Sequence, residues 1–212
     1  PSTSLIQSLA NQGVEVIFSL SGNQIMPLYD ACIDVNIQII HTRHEGAAVY
    51  MAEAYAQMTG KIGVALVTAG PGLLNAVSAL YSAAQSETPM LLISGDAASH
   101  LDGRGAFQEL NQISVTSPIT KLSVRPTQSQ DMLPALATAM STALGGTPGP
   151  VHLALPFDIL SAPDADAPLP AIPLPKASGL SPAQLDKLVK ALSAASQPIV
   201  ITGPQSNQSR QP

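Results

Sequence analysis

Short apolar runs alternate with longer segments of helical periodicity from the start of the chain to about residue 158. Several of the runs are continuously apolar, as is typical of strands in a parallel sheet that is covered on both faces. We expect strands at 14–20, 36–42, 61–68, 89–94, 119–124 and 149–155, and helices at about 2–12, 25–34, 45–58, 73–85 and 128–144. This alternation predicts an α/β fold, a three-layer α/β/α domain with a mainly parallel sheet.

The pattern changes after this first domain, which we expect to cover residues 1–160. Residues 161–180 are rich in proline and have few bulky side chains, so they predict a linker. Residues 181–212 predict the start of an incomplete middle domain, with a helix that begins at Ser181 and a buried strand at 198–204. Because one helix and one strand cannot bury their own apolar faces, we expect the chain to be a fragment of a longer protein.

Composition narrows the function classes. The net charge is −5 with no cluster of Lys or Arg, which argues against a nucleic-acid partner. Cys32 is the only cysteine, which excludes an internal disulfide and fits a reducing compartment. The sequence contains no apolar run of membrane-spanning length and no signal-peptide pattern at its start, so we predict a cytoplasmic protein without a membrane partner.

Glu45 stands where the predicted helix 45–58 begins, and that helix is apolar on nearly every side. A helix that is apolar all round is expected to be buried. A glutamate in the first turn of a helix is favoured by the helix dipole alone, and this is the ordinary explanation. Here, however, small residues follow at 46–48 and leave room for a ligand, so the carboxylate could share a proton with a ligand nitrogen.

The stretch Gly70-Pro71-Gly72 lies between a predicted strand and a helix. It does not match a dinucleotide fingerprint, because Asn75 stands where the third glycine is needed, and no lysine follows to complete a P-loop. We therefore interpret it as a turn that lets the backbone approach a flat ligand closely, with the amide of Asn75 one helical turn away.

The other candidate residues are weaker evidence for a functional site. Asp96 follows a strand, and His41 and His44 are three residues apart, but none has co-ligands at a suitable spacing, so we predict no metal site. Phe107 and Gln108 could line a pocket for a small polar substrate, or could simply be a core residue and a surface residue. A G-x-S-x-G hydrolase motif is absent from the sequence.

Taken together, several of these segments resemble one family. These segments are TRHEGAAVYMAEAYAQMTG, KIGVALVTAGPGLLNAVSALYSAAQSETPMLLISG, GAFQE, PITK and PGPVHLALPFDI. Together they are similar to the N-terminal pyrimidine-binding domain of thiamine-diphosphate enzymes of the acetolactate synthase and benzaldehyde lyase group. The resemblance runs from about residue 3 to 160. The linker and QPIVITGP resemble the entry to the middle domain.

The resemblance implies roles for particular residues. Glu45 matches the glutamate that hydrogen-bonds N1′ of the cofactor pyrimidine and thereby assists proton removal from the thiazolium C2, so it is the implied catalytic residue. The implied cofactor-binding set is Glu45, Gly22, Gly70, Pro71, Gly72 and Asn75. The implied substrate pocket contains Ser21, Asn23, Gln24, Phe107, Gln108 and Lys121. The resemblance also implies Mg²⁺ with ligands in a C-terminal domain whose GDG…N motif this chain lacks, and it leaves FAD binding open.

Several functions are compatible with this resemblance. The first is an acetolactate synthase-like activity, which decarboxylates a 2-keto acid and then carries out carboligation. The second is a carbon–carbon lyase activity like that of benzaldehyde lyase or 2-hydroxyacyl-CoA lyase. Ser21, Asn23 and Gln24 replace the small residues usual in acetolactate synthases, whereas Glu45 disfavours the glyoxylate carboligases. A truncated, non-catalytic interaction module and a generic nucleotide-binding domain remain alternatives.

The resemblance also predicts assembly. Helices 45–58 and 73–85 are too apolar to face water, and in the family they pack across a two-fold axis, so we expect a homodimer or homotetramer. In the family the cofactor lies between this domain and the C-terminal domain of another subunit, so the resemblance implies that the isolated chain is inactive.

Overall fold

The computed structural model of the chain describes residues 1–163 and 179–204. The strands are β1 (Val16–Ser19), β2 (Gln38–His41), β3 (Gly63–Val67), β4 (Met90–Asp96), β5 (Leu122–Val124) and β6 (Pro150–Pro156). The helices are α1 (Ser2–Asn11), α2 (Met26–Val35), α3 (Glu45–Thr59), α4 (Pro71–Gln85), α5 (Gln112–Thr116), α6 (Met132–Leu144), α7 (Phe157–Leu160) and α8 (Pro182–Ala194). The predicted strands and helices of the first domain are confirmed, with ends that move by a few residues.

The strands form one parallel sheet in the order β2-β1-β3-β4-β6-β5. This confirms the predicted α/β class. From β1 the chain runs to one side of the sheet to form β2 and then returns to the other side to form β3. In an open parallel sheet the crevice outside the carboxyl ends of the strands at such a reversal is where ligands bind. The fold therefore directs attention to the segments that follow β1 and β3.

Helices cover both faces of the sheet, which explains why every residue of the inner strands β3, β4 and β6 is buried. On one face α1, α2 and α6 bury side chains such as Leu5, Leu28 and Leu136 against the sheet. On the other face α3 and α4 pack small residues and leucines, such as Ala52 and Leu80, against β3 and β4. The small residues let α3 lie close to the sheet, so the first turn of α3 is held firmly at the sheet edge.

Local sequence features determine where α3 begins and ends and where α4 begins. The backbone N–H of Gly46 donates to Nδ1 of His44 at 3.0 Å, which caps the first turn of α3. Gly60 ends α3 in the left-handed conformation, with φ of +71°. Pro71 occupies the first turn of α4, where a missing N–H costs nothing.

The expectation that α3 is buried on every side is wrong for the single chain. Tyr50, Met51 and Met58 are 51%, 39% and 85% exposed. Only the face that touches the sheet and α4 is covered, because α3 lies in an outer layer of the domain. Its outward face is an apolar surface.

The segment 179–204 contains α8 and is exposed throughout. Ser181 and Gln184 form a capping box at the start of this helix, as the predicted N-cap at Ser181 requires. The strand predicted at 198–204 is not formed, and Ile199 and Ile201 are 88% and 92% exposed. A strand gains its hydrogen bonds from a neighbour, and no neighbour is within the described residues. Residues 164–178, most of the predicted linker, and the tail 205–212 lie outside the described residues.

None of the helices in residues 1–163 and 179–204 is long and apolar enough to cross a membrane. The longest, α3 and α4, have 15 residues each. A membrane-spanning helix needs about 20 apolar residues.

Candidate functional site

The candidate site lies at the carboxyl ends of β1 and β3, where the strand order reverses. Two segments leave the sheet there, residues 20–24 after β1 and residues 68–72 after β3, and α3 and α4 begin beside them. Two helix N-termini at one edge favour a ligand that carries acceptor groups or negative charge. Most residues predicted for cofactor binding therefore fall in one place.

Glu45 is the first residue of α3, and it is only 8% exposed. Its Oε2 accepts a hydrogen bond from Nδ2 of Asn75 at 3.0 Å, which joins the first turns of α3 and α4. Its Oε1 receives no hydrogen bond from the part of the chain that the structure describes. None of the buried side-chain oxygens and nitrogens of the described residues lacks a partner, so Oε1 is open to the crevice, where a carboxylate oxygen is a strong acceptor for a ligand N–H. Glu45 and Asn75 were both predicted, and the structure brings them together.

Thr68 occupies the centre of the site, although no sequence pattern singles it out. A Cβ atom added at Gly22 would lie 2.3 Å from Cβ of Thr68, and one added at Gly72 would lie 2.7 Å from its Cγ2. The same position at Gly72 is 3.5 Å from Oε1 of Glu45. Both glycines are therefore required by close approach to Thr68, and Gly72 lies directly beside the catalytic candidate.

Gln24 is held by Thr68. The Thr68 hydroxyl donates to Oε1 of Gln24 at 2.7 Å, and Gln24 is 5% exposed. A Cβ added at Gly95 would lie 2.7 Å from Cβ of Gln24, so Gln24 also packs on the end of β4. Ser21 and Asn23, the neighbours in the predicted substrate pocket, are exposed on the same segment.

Gly70 connects the turn after β3 to the segment that carries Gln108. Gly70 has φ of +55°, which favours glycine, and an added Cβ would lie 2.7 Å from the backbone oxygen of Gln108. Gln108 itself has φ of +62°. The predicted pocket residue Gln108 therefore contacts the predicted cofactor turn. Phe107, its neighbour, is 75% exposed and is not a core residue.

Lys121 is not brought to the site. It immediately precedes β5 and lies at the amino edge of the sheet, opposite Glu45. Its Nζ donates to the backbone oxygens of Thr142 and Gly145 at the end of α6, where a cation complements the helix dipole. Burial lowers the pKa of Lys121. The predicted substrate role of Lys121 does not fit this placement.

A second polar cluster lies in the core and away from the crevice. His152, in β6, has no exposed surface, and its Nε2 and Nδ1 lie 2.8 Å from the hydroxyls of Ser94 and Thr116. Ser123 lies 3.0 Å from the same Nδ1. Burial lowers the pKa of His152 to about 3, so the ring is neutral at physiological pH. Since both ring nitrogens are partnered, this cluster is structural.

Metal binding is not supported by the described residues. They include no group of three or more His, Cys, Asp or Glu side chains that could hold an ion. Asp96, one candidate from the sequence, is 3% exposed and accepts a hydrogen bond from Nε of Arg125 at 2.6 Å. It is therefore engaged in a salt bridge.

The residues of the crevice suit a flat ring with a hydrogen-bonding nitrogen. Oε1 of Glu45 can accept from the ring, Asn75 holds the carboxylate in place, and the glycines at 22, 70 and 72 keep the backbone close. Gln24 lies next to this crevice through its hydrogen bond with Thr68, and Gln108 through the contact of its backbone oxygen with Gly70. This is the donor and acceptor set that the pyrimidine of thiamine diphosphate requires, so the residues present fit this cofactor.

Comparisons with known proteins agree with this geometry. Residues 2–115 match the family model "Thiamine pyrophosphate enzyme, N-terminal TPP binding domain". The chain is 35% identical over 237 residues to 2-hydroxyacyl-CoA lyase 2 from Homo sapiens, covering 93% of this chain and 37% of that protein. It is also 35% identical over 209 residues to the acetolactate synthase large subunit of Lactococcus lactis, covering 97% of this chain and 36% of that protein.

Among solved structures, the thiamine diphosphate-dependent 4-hydroxybenzoylformate decarboxylase of Rhodococcus jostii superposes with a TM-score of 0.90 at 27% identity. The match covers 99% of this chain and 40% of that one. The chain thus spans between a third and two fifths of the length of these three proteins. The family match, the fold and the arrangement around Glu45 lead to one conclusion: the chain belongs to the thiamine pyrophosphate enzymes and carries their N-terminal TPP-binding domain.

Proposed function

We propose that this chain supplies the pyrimidine-binding half of the active site in an acetolactate synthase-like enzyme that decarboxylates a 2-keto acid and joins the product to a second carbonyl compound. The observation that carries the proposal is the buried carboxylate of Glu45, which has one oxygen bonded to Asn75 and the other directed at no described donor. A group of this kind can hold a proton at a ligand nitrogen.

Each residue of the crevice has a task in this proposal. Bound thiamine diphosphate supplies the electron sink for the carbanion chemistry. Oε1 of Glu45 accepts the hydrogen bond at the pyrimidine N1′ and holds the proton there, while Asn75 keeps the carboxylate in register. Thr68, packed against Gly22 and Gly72, fixes the floor of the crevice. Gln24, held by Thr68, and Gln108, which contacts Gly70, are proposed to face the substrate.

The other half of the site is proposed to come from a C-terminal domain. The curated relatives are about three times as long as this chain. The Mg²⁺ ion that would hold the diphosphate needs oxygen ligands, which the described residues do not offer as a cluster. We therefore expect the 212-residue chain to bind thiamine diphosphate weakly and to be inactive. Tight binding by this chain alone would contradict the proposal.

Self-association is part of the same proposal. The outward faces of α3 and α4 expose a set of large apolar side chains: Tyr50, Met51, Met58, Leu74 and Tyr81. Monomers rarely expose apolar patches of this kind. We expect a homodimer or homotetramer in which these faces are covered. Light scattering at micromolar concentration tests this, and a monomer would exclude the interface.

The substrate class has two candidates. The likeness to acetolactate synthase favours 2-keto acids, whereas the likeness to 2-hydroxyacyl-CoA lyase 2 favours a lyase that cleaves the bond beside a hydroxyl-bearing carbon. Both reactions depend on the same role for Glu45.

A cytoplasmic location is proposed from the cysteine content. Cys32 is the one cysteine of the sequence, and burial raises the pKa of its thiol to about 11. A buried thiol of this kind stays protonated and unreactive.

The proposal is tested with the full-length protein, thiamine diphosphate and Mg²⁺. Exchange of the thiazolium C2 proton for deuterium, read by NMR after an acid quench, reports on Glu45 without any substrate. We expect the protein to accelerate this exchange by at least about a hundredfold over free cofactor. A panel of 2-keto acids and 2-hydroxyacyl-CoA esters then separates the two substrate classes. Exchange at the rate of free cofactor would refute the proposed function.

A further inference from the structure

The segment 97–111 connects β4 to α5 and carries Phe107 and Gln108 to the site. From residue 98 to residue 111 every residue is exposed or half-buried, and the main apolar contact of this segment is Leu110, which packs against the core near its end. A pocket of about 220 Å³ lies beside it and is lined partly by Asp102, Glu109 and Arg125. The part of the segment before Leu110 has room to shift, and its position depends largely on polar contacts.

One guanidinium group supplies the main polar contacts. Arg125, immediately after β5, donates from Nε to Oδ2 of Asp96 at 2.6 Å. Its Nη1 and Nη2 donate to the two carboxylate oxygens of Asp102 at 3.0 and 2.9 Å. Asp96 is the buried end of β4, whereas Asp102 belongs to the segment. Only arginine has a planar fork that binds one carboxylate with two nitrogens and a second carboxylate with the third.

The contacts of Arg125 continue to the site. The residue after Asp102 is Gly103, whose N–H donates to Oε1 of Glu109 at 2.5 Å, and the N–H of Ala106 donates to Oε2 at 2.9 Å. These two amides lower the pKa of Glu109. Glu109 directly follows Gln108, so the segment is closed into a ring of hydrogen bonds whose far end is Gln108.

The far end touches the cofactor turn. The backbone oxygen of Gln108 packs so closely on Gly70 that a Cβ atom there would lie 2.7 Å away. Gln108 also holds the left-handed conformation, with φ of +62°, which a non-glycine residue adopts only when its surroundings impose it. Gln108 is the third residue of a turn closed by the N–H of Glu109, which donates to the backbone oxygen of Ala106 at 3.0 Å. The carboxylate of Glu109 ties this turn to Gly103, the residue after the Arg125 partner Asp102.

We infer that Arg125 is a positioning residue that acts through Asp102 and Glu109 to hold Gln108 and Phe107 at the substrate side of the crevice. The inference rests on the proposed function, because it assumes that this side receives the substrate. It assigns Arg125 to substrate affinity rather than to activation of the cofactor, since its contacts lead to Gln108 and not to Glu45.

A second anchor makes the expected effect local. The N–H and hydroxyl of Ser99 donate to the two carboxylate oxygens of Asp158 at 2.9 and 2.5 Å, and this contact is independent of Arg125. Loss of the guanidinium therefore frees the middle of the segment while its first residues stay attached. The sheet and the crevice around Glu45 should be unchanged.

The test uses the full-length enzyme with Arg125→Met, Arg125→Lys and Asp102→Asn. Asp102 is the exposed partner in its salt bridge with Arg125, so Asp102→Asn can test the inference even if Arg125→Met does not fold. Lys61→Met is the matched control, because it removes a cation from the Lys61–Glu15 ion pair at the other edge of the sheet. Three quantities are measured: KM and kcat for the substrate, thiamine diphosphate affinity, and hydrogen exchange of the peptide 97–111.

We expect Arg125→Met and Asp102→Asn to raise KM by about tenfold, with kcat and cofactor affinity changed by less than about threefold. Exchange in 97–111 should accelerate, and exchange in α3 should not. Arg125→Lys should resemble Arg125→Met because lysine lacks the fork, and Lys61→Met should resemble wild type.

Three results would overturn the inference. These are an unchanged KM with faster exchange, unchanged exchange, and an equal loss of kcat, substrate affinity and cofactor affinity. Wild-type behaviour of Arg125→Lys would overturn the requirement for the fork. If the wild-type enzyme itself fails to accelerate C2 exchange and turns over no substrate, the proposed function fails instead. The exchange of 97–111 still shows whether Arg125 holds the segment.

Discussion

Two buried carboxylates lie on α3, and they have different surroundings. Glu45 and Glu53 are 8% and 7% exposed, so burial does not distinguish them. Glu53 accepts hydrogen bonds from the hydroxyl of Ser86 at 2.6 Å and from the amide of Gln57 at 3.2 Å. Glu45 accepts from Asn75 alone among the residues that the structure describes. Glu53 lies between two helices, and Glu45 lies at the crevice where the strand order reverses.

The difference shows what marks a functional carboxylate in this fold. A buried carboxylate is stable when donors replace the water it has lost. The donors of Glu53 come from its own helix and from the end of α4, so its place is structural. In both groups one oxygen receives no hydrogen bond from the described residues, since the donors of Glu53 all contact its Oε1, but only the Oε1 of Glu45 lies at the crevice, beside Gly72. The number of donors and the position relative to the strand ends, more than burial, separate the two roles.

The largest expected effect separates the two carboxylates directly. In the full-length enzyme, Glu45→Gln should lower kcat/KM by about 10²–10⁴-fold, because a neutral amide cannot hold the proton at the cofactor nitrogen. Glu53→Gln should change kcat/KM by less than about threefold. Steady-state kinetics with saturating cofactor measures both.

The two variants control one another, because each replaces a buried carboxylate of the same helix with the same isosteric amide. Melting temperature and thiamine diphosphate affinity are measured alongside. Similar losses of activity in both variants would mean that any disturbance of α3 inactivates the enzyme, and Glu45 would then have no role that Glu53 lacks.

His152 is a third buried ionisable group, and both nitrogens of its ring have hydrogen-bond partners. Burial lowers its pKa to about 3, whereas an unfolded histidine has a pKa near 6.5. Above about pH 6.5 both states are neutral at this residue. As the pH falls below that value the unfolded state binds the proton and the folded state does not. From pH 7 to pH 5 this residue should remove roughly 2 kcal/mol from the free energy of unfolding.

Denaturant unfolding at pH 5, 6 and 7 measures this slope. His152→Gln removes the titrating group while it keeps donors and acceptors, so its stability should be lower at pH 7 but less dependent on pH. A variant with the same slope as wild type would show that other groups cause the acid sensitivity.

Removal of the Glu53 carboxylate should change the free energy of unfolding by an amount similar to that expected for His152. Glu53→Ala should lower the free energy of unfolding by about 1–3 kcal/mol, because the partly buried Ser86 and Gln57 each lose one of their acceptors. Glu15→Ala, which removes the exposed partner of Lys61, should cost less than about 1 kcal/mol. Chemical denaturation of both variants measures the two values, and equal values would remove the structural role assigned to Glu53.

Much of the fold could be predicted from local patterns. The inner strands β3, β4 and β6 are buried at every residue, so each of them appears in the sequence as an apolar run between helical segments, whereas the edge strands β2 and β5 are only partly covered. The pattern at 198–204 is of the same kind, but no strand forms there. A local pattern reports what a segment can bury, and it cannot supply the neighbour that the strand requires.

The site could be predicted only in part. Glu45, Gly70 and Asn75 stand out because a charge, a turn and an amide interrupt apolar segments. Thr68 and Arg125 do not stand out, since their roles come from contacts with residues distant in sequence. Lys121 was placed in the pocket because its segment resembles the family. Its position at the amino edge follows from the direction of β5, which single-residue motifs do not reveal.

The smallest expected effect concerns the one described donor of Glu45. Asn75→Ala removes the hydrogen bond to Oε2 and should lower kcat/KM by about five- to tenfold, the equivalent of about 1 kcal/mol. If Asn75 acts by holding Glu45, the same substitution in a Glu45→Gln background should have almost no further effect, since the carboxylate it serves is gone. Kinetics of the four enzymes of this double-mutant cycle measures the coupling. A loss of the same size in both backgrounds would mean that Asn75 acts on the ligand directly. Glu45 would then be set apart from Glu53 by its place at the crevice alone, and the count of donors would carry no information about function.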